Sequence, residues 1–301
     1  MPTYANQSAY PLAPPTVSGS NVTVSMMLAE PSRISRYLAD IRLRNFISPL
    51  LFANPAGVAG GALVYDQLTL NDLFATRDVQ TVEPGGEFPI LSSETAQPMI
   101  AAVEKDGGKF FVTDEARDRN DGGTIQRDGR KLINTIIRKL DEKAVAAVNA
   151  ALAAFPSQVV AGHNWSTVVT GGSSQTNASG WPAADLAATQ GLADQQELGV
   201  VFDTLIVNPL QRVALTTVYG SSLNEVLEAA GIENFMASNR VAAGTAFMVE
   251  SQMVGEQRYE KGLSTETWRE QLHQRTWVQS DVRAARAVTN PLSVVKLTGL
   301  G

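Results

Sequence analysis

Apolar side chains at Ile133, Ile136, Ile137, Leu140, Ala144, Val148, Leu152 and Phe155 recur at steps of three and four. That spacing lays them along one face of an α-helix, with Arg127, Lys131, Asn134, Arg138 and Glu142 on the other faces. Asp121 and Thr124 are candidate caps for its start, and Pro156 forbids continuation beyond Phe155. The pattern from Asp121 to Phe155 therefore predicts a rod of about 30 residues, roughly 45 Å long, against a mean helix of ~11–12 residues. An element of that length organises the chain around it.

Ahead of the rod, Ser32 is a candidate N-cap for a short helix with the stripe Ile34, Leu38 and Ile41. Phe46-Ile47-Ser48-Pro49-Leu50-Leu51-Phe52 reads as a plug for a core. Residues 63–115 read as extended, with two turn signals. Glu83-Pro84-Gly85-Gly86-Glu87 separates the runs 78–82 and 88–91, and Lys105-Asp106-Gly107-Gly108 separates Ile100–Val103 from Phe110–Thr113 as a hairpin. This segment has too few large apolar residues to fold by itself, so it must lean on its own chain or on a neighbour.

After the rod comes a loose Gly/Ser/Thr/Asn stretch, Ser157–Ser179, and then a change of pattern. Val200–Val207 and Thr245–Val249 read as buried strands. Asn208-Pro209 opens a helix that stops at Gly220, and Ser222 to Glu225 has capping-box spacing for another that stops at Gly231. Arg275–Ser280 is a further extended run, and Leu292–Leu297 is a final strand after the break at Asn290-Pro291. Strand, helices and strand make a small α/β layer.

Charge changes the picture at the N-terminus. Residues 1–29 contain no Asp, Glu, Lys or Arg but have prolines at 2, 11, 14 and 15. Such a segment is either an unattached tail or an arm that lies on protein surface, and the arm is the expectation here. The whole chain of 301 residues carries a net charge of −6, so no basic field draws it to nucleic acid or acidic membranes. Cysteine is absent, which excludes disulfides, thiolate metal sites and a Cys nucleophile. No apolar run approaches the ~18–20 residues of a membrane span, and Met1–Leu12 lacks signal-peptide character, so a soluble chain made inside the cell is expected.

Candidate chemistry is sparse. His163 and His273 are the only histidines, far apart and in no metal-ligand spacing. No nucleophile elbow, phosphate loop or dinucleotide loop occurs, and Gly107-Gly108-Lys109-Phe110 reads as a hairpin turn. Asp114/Glu115 and Glu225/Glu228 read as solvated faces, and Arg275, Arg283 and Arg286 are expected to pair with Glu266, Glu270 or Asp281. No catalytic, cofactor-binding or metal-binding residue is assigned.

The order of segments resembles the major capsid proteins of tailed phages, the Hong Kong 97-like shell fold, over nearly the whole chain. Local echoes are Leu28-Ala29-Glu30-Pro31-Ser32-Arg33-Ile34, Val82-Glu83-Pro84-Gly85-Gly86-Glu87-Phe88-Pro89-Ile90, Val112-Thr113-Asp114-Glu115-Ala116, Leu205-Ile206-Val207-Asn208-Pro209 and Asn290-Pro291-Leu292-Ser293-Val294. The resemblance implies an α+β chain. Residues 1–45 would be an N-terminal arm, 46–115 the extended-loop region and 116–180 a peripheral domain with the spine helix. Residues 181–270 would be an axial domain, with 271–301 returning to the peripheral domain. It further implies a non-enzymatic subunit that forms hexameric and pentameric capsomers of an icosahedral shell around double-stranded DNA. Portal, decoration and scaffolding proteins would be its partners. No charged helical extension precedes the arm, so scaffolding is either a separate protein, which is the expectation, or a segment removed by processing. The place of action would be the virion, after assembly in the host cytoplasm. Pro14, Pro15, Pro84, Gly85, Gly86 and Phe88 are the subunit-interface candidates. An encapsulin-like compartment and a soluble α/β enzyme are the alternatives. Some members of the family join subunits by isopeptide bonds from a lysine on the extended loop. This chain has no lysine before Lys105, so shells held without covalent links are expected.

Overall fold

The computed structural model describes residues 23–40, 46–73, 79–90 and 98–301. Its helices are α1 (Val24–Ala29), α2 (Pro31–Asp40), α3 (Ser48–Leu51), α4 (Leu70–Leu73), α5 (Asp114–Asp118), α6 (Gly123–Leu152), α7 (Pro182–Gln195), α8 (Pro209–Tyr219) and α9 (Leu223–Ala229). The strands are β1 (Phe52–Ala53), β2 (Ala62–Tyr65), β3 (Met99–Ala102), β4 (Glu104–Thr113), β5 (Val159–Ala161), β6 (Thr204–Val207), β7 (Asn234–Ala237), β8 (Ala246–Val249), β9 (Gly255–Glu270), β10 (Arg275–Ala287) and β11 (Val294–Thr298). Two compact units result. The first takes residues up to Phe46, Glu104–Leu140 and Tyr259–Ala284. The second takes Ile47–Val103, Asp141–Arg258 and Ala285–Gly301.

The second unit is built on a five-stranded sheet of order β5-β11-β8-β6-β7. Successive side chains of a strand point to opposite faces, and here each face meets a different core. Leu205, Val207, Ala246, Met248, Val295 and Leu297 pack with Trp165, Leu186, Phe202 and Leu215. Ile206, Phe247, Val249 and Val294 pack instead with Ala144, Val145, Val148 and Leu152 of α6 and with Ile47, Leu51 and Phe52. Burial on both faces is why these strands read as unbroken apolar runs. The predicted strand 200–207 narrows to Thr204–Val207. Asn208 caps α8 through Leu210 N–H at 3.0 Å, and Gly220, at φ 53°, ends it. Ser222 makes no side-chain cap to α9, so the capping-box spacing goes unused.

In the first unit β4 and β10 pair antiparallel, from Arg275 opposite Thr113 to Ala284 opposite Glu104. Phe110, Val112 and Val278 face a core with Val24, Leu28, Ile34, Leu38, Ile125, Ile133 and Ile137. One expectation fails here, the cap at Ser32. The uncharged N-terminal stretch ends in a helix, α1, capped by the Thr23 hydroxyl on Met26 N–H at 3.3 Å. Pro31 is the first residue of α2, so Ser32 lies inside the helix rather than capping it. Ile41 falls outside the described residues.

The predicted hairpin at Lys105–Gly108 is also overturned. Asp106-Gly107 sits in the middle of β4, while β3 pairs with β2. Gly107 is required for a different reason: a Cβ there would lie 2.6 Å from the Ser280 carbonyl on β10. The glycine serves close strand approach, not a turn.

The long helix forms close to its predicted bounds, with Asp121 Oδ1 accepting from Gly123 N–H at 2.9 Å. Ile133, Ile136, Ile137, Leu140, Ala144, Val148 and Leu152 are buried, and Arg127, Lys131, Arg138 and Glu142 are exposed. Asp141 breaks the pattern, since it is only 4% exposed. Its Oδ1 accepts from Ile47 N–H at 3.1 Å and Ser48 N–H at 3.0 Å. Ser48 Oγ donates to Gln257 at 2.6 Å, and Arg286 donates to the same Gln257 oxygen at 3.0 Å. Burial pushes the Asp141 carboxyl up to about 6, against the opposing pull of those two amides and of Arg240 and Arg286.

Two outcomes follow from α6. Ile137→Asp places an unpaired charge in the first unit's core and is expected to cost several kcal/mol, whereas exposed Arg138→Ala stays within ~0.5. Equal losses in urea unfolding would mean the buried face is misassigned. For Asp141, the folded chain holds the proton more tightly than the unfolded chain, whose carboxyl titrates near 3.8. Its stabilisation is full below about pH 4 and is lost as pH rises through about 6, roughly 3 kcal/mol in all. Asp141→Asn keeps the accepting oxygen but cannot ionise. It should remove this part of the pH slope and be the more stable form at pH 7, and an unchanged slope would refute the assignment.

Candidate assembly surfaces

The second unit carries a loop whose backbone starts as a ribbon. Ala62 to Tyr65 lie opposite Ala102 to Met99. Leu63, Tyr65 and Ala101 turn inward against Ala285 and Ala287. On the other face Val64 and Ile100 are direct cross-strand partners, 64% and 72% exposed. Further out, Gly86 N–H donates to Glu83 O at 2.9 Å, with Pro84 and Gly85 (φ 89°) between them. Proline at the second position and a positive-φ glycine at the third make a type II turn.

The predicted turn is therefore present at Pro84, Gly85 and Gly86, but residues 79–90 make no ladder of their own around it. Phe88 and Ile90 stand 75% and 80% exposed. Fully burying one such side chain is worth about 1.5–3 kcal/mol. This segment leaves several of them in water within a short length of chain. Of these exposed residues the sequence names Phe88 alone as an interface candidate; Val64, Ile90 and Ile100 join it here. The exposure of Val64 and Ile100 depends on a pairing between residues far apart in the chain. Pro14 and Pro15 lie outside the described residues.

Among the described residues no group of three or more His, Asp or Glu side chains is placed to hold a metal, and no helix is long and apolar enough to cross a membrane. The two histidines belong to different units, and each faces a carboxylate. His163 Nδ1 is 2.7 Å from Asp185, which also accepts from Trp165 Nε1 at 2.8 Å. His273 Nδ1 is 2.5 Å from Glu270. The arginines do not form one anion site. Arg275 donates to Glu270 at 2.6 Å, Arg283 lies 3.4 Å from Glu260 and 3.9 Å from Asp281, and Arg286 donates to Gln257. Glu266 pairs with Lys261 instead. Asp114 corrects the expectation of a solvated face: it is nearly buried and holds Arg269 at 2.5 Å and Arg117 at 3.3 Å. An apolar hollow of about 240 Å³ in the first unit, lined by Phe46, Ile136, Leu140, Tyr259, Leu263 and Val282 among others, gathers no acid–base pair. Lys105, the first lysine, sits on β4 at 3.7 Å from Asp281.

Comparison with known proteins matches this architecture. A family model described as phage capsid protein matches residues 96–297. The structure of a virus-like particle from Pyrococcus furiosus is similar at TM-score 0.60 and 13% identity, over 88% of this chain and 98% of that one. A structure from Mycobacterium phage Cain is similar at TM-score 0.59 and 15% identity, over 93% and 99%. The capsid of cyanophage P-SCSP1u is similar at TM-score 0.57 and 13% identity, over 86% and 89%. No curated protein matches by sequence. Identities this low speak for the fold, and the family model spans about two thirds of the chain. The chain belongs to the phage capsid protein family and has the Hong Kong 97-like fold.

Proposed function

We propose that this chain is the major capsid protein of a tailed phage, and that it closes an icosahedral shell by laying the extended-loop region, residues 46–115, and its N-terminal arm on neighbouring subunits. The observation that carries the reading is the apolar loop. Val64, Ile100, Phe88 and Ile90 are exposed in a segment whose ribbon is two strands wide, and an isolated ribbon of that kind is marginal in water. Assembly supplies the missing burial, and a neighbour's backbone can supply hydrogen-bond partners along 79–90. Symmetry lets one such contact, repeated, close the particle as hexameric and pentameric capsomers. In this reading residues 1–45 form the arm and α6 is the spine of a peripheral domain. The strand-helix layer between 181 and 270 is the axial domain, and the chain's last segment returns towards the spine.

The shell would enclose double-stranded DNA without gripping it, which suits a net charge of −6. Scaffolding, portal and decoration proteins would be separate chains, with assembly in the host cytoplasm and no catalytic role for this one. Locking is non-covalent, because an isopeptide bond needs an amine on the loop and the chain has no lysine before Lys105.

Phe88→Ser together with Ile90→Ser is expected to leave thermal unfolding of the free subunit within ~0.5 kcal/mol of the parent while abolishing particles in electron micrographs. Normal particle yields would refute the loop's role. Boiled mature particles should run as one band near 32 kDa on a denaturing gel, and a ladder that survives reductant would refute non-covalent locking.

A further inference from the structure

The N-terminal half of α6 carries an exposed face opposite in character to the stripe it buries. Arg127, Arg130, Lys131 and Arg138 are all exposed. Helical geometry gathers them within an arc of about 100°, with Asn134 inside it, in a strip roughly 16 Å long. No carboxylate lies within the arc. Asp128 stands at its edge, where it accepts from Arg127 Nε at 3.1 Å and lies 3.7 Å from Lys131 Nζ. Asp121 caps the helix start through Gly123 N–H, and Glu142 lies one turn beyond Arg138. Arg130 and Arg138 make no hydrogen bond or ion pair with any described residue. Exposed helical faces are steadied by opposite charges three or four residues apart, whereas here Arg127 meets Arg130 and Lys131 at those steps. Like charges so placed weaken a helix, and a polyanion laid along the strip removes that repulsion.

We propose that this strip contacts the phosphate backbone of the enclosed double-stranded DNA. The proposal rests on the reading of the chain as a shell around DNA and adds the surface that touches it. A folded protein partner ordinarily anchors on an apolar centre, and α6 leaves none of its large apolar side chains exposed. Guanidinium groups instead fork onto phosphate oxygens, and Arg130 and Arg138 have no carboxylate to give up first. A duplex presents one charge per ~1.7 Å of its axis, so a strip of this length meets phosphates in any register and reads no base. The net charge of −6 does not forbid this, because at 0.1 M salt a charge is felt over only about 10 Å. Remote carboxylates keep the chain as a whole from condensing on DNA, while phosphates at α6 respond to the strip. Asp128 tempers the strip by occupying Arg127 and Lys131. A few phosphate contacts per subunit are weak and exchange readily, and repetition over the shell makes them effective.

Binding of a short labelled DNA duplex to the full-length chain, followed by polarisation across a salt series, tests this. The logarithm of the binding constant should fall against the logarithm of salt with a slope of about −3 to −4, equally for two unrelated sequences. Arg130→Gln with Arg138→Gln, at exposed positions that leave the fold intact, should flatten that slope by about 2. Asp128→Asn frees Arg127 and Lys131 and should tighten binding severalfold. Arg212→Gln removes an exposed cation from α8 of the second unit and should leave the slope unchanged. No binding at low salt, a slope the double variant does not alter, or equal flattening by Arg212→Gln overturns the proposal. Polyglutamate of equal total charge that displaces the duplex at equal or lower concentration overturns it in favour of an acidic protein partner. The double variant should still form particles in electron micrographs, and their loss with duplex binding intact overturns it in favour of a contact between subunits. Each of these outcomes leaves the shell reading standing, whereas failure of the unmodified chain to form particles strikes that reading itself.

Discussion

The burial of one helix's apolar stripe is the constraint on which the rest of this structure depends. A helix of 30 residues is not stable in water on propensity alone, and its stability comes from the packing of that stripe. Here the stripe serves two cores in succession. Ile125, Ile133 and Ile137 help fill the first unit's core, and Ala144, Val145, Val148 and Leu152 cover one face of the second unit's sheet. Ala144, fully buried, leaves room for the close approach of neighbouring side chains. Each unit therefore owes part of its core to the same element, and neither core is made from a contiguous stretch of sequence.

That division of labour leaves the loop as surplus. The second unit's sheet is satisfied on both faces without residues 79–90, and the ribbon is anchored on one face only, through Leu63, Tyr65 and Ala101. Apolar side chains that a single chain cannot bury are a liability for a monomer and a resource for a shell subunit. Ionisable side chains such as Asp114, Arg269, Glu270 and Arg275 are spent on pairs that brace strands and turns.

The buried polar groups show how such bracing works. Asp141 ties the start of α3 to α6, and Ser48, Gln257 and Arg286 continue the network around it. A buried carboxyl is tolerable because two amides meet it, and its raised affinity for a proton is the residual cost of its burial.

Much of this was readable from local pattern. The helix period from Ile133 to Leu152, the paired punctuation of Asn208-Pro209 and Gly220, and the Pro84-Gly85 turn each depend on a few neighbouring residues, so sequence alone determined them. The unbroken apolar runs of β6 and β8 likewise announced burial on both faces. Tertiary structure decided the rest, wherever a residue's role is set by a distant partner. Asp106-Gly107 has the chemistry of a turn, yet β10 lies alongside and converts it to strand, with Ser280 leaving no room for a side chain at Gly107. Asp141 and Asp114 look like surface carboxylates until Ile47 and Ser48, or Arg269, are folded against them. Val64 and Ile100 become an exposed apolar pair only through a register that joins β2 to β3 across the whole loop. Local propensity is written residue by residue, whereas pairing, burial and charge compensation belong to the chain as folded.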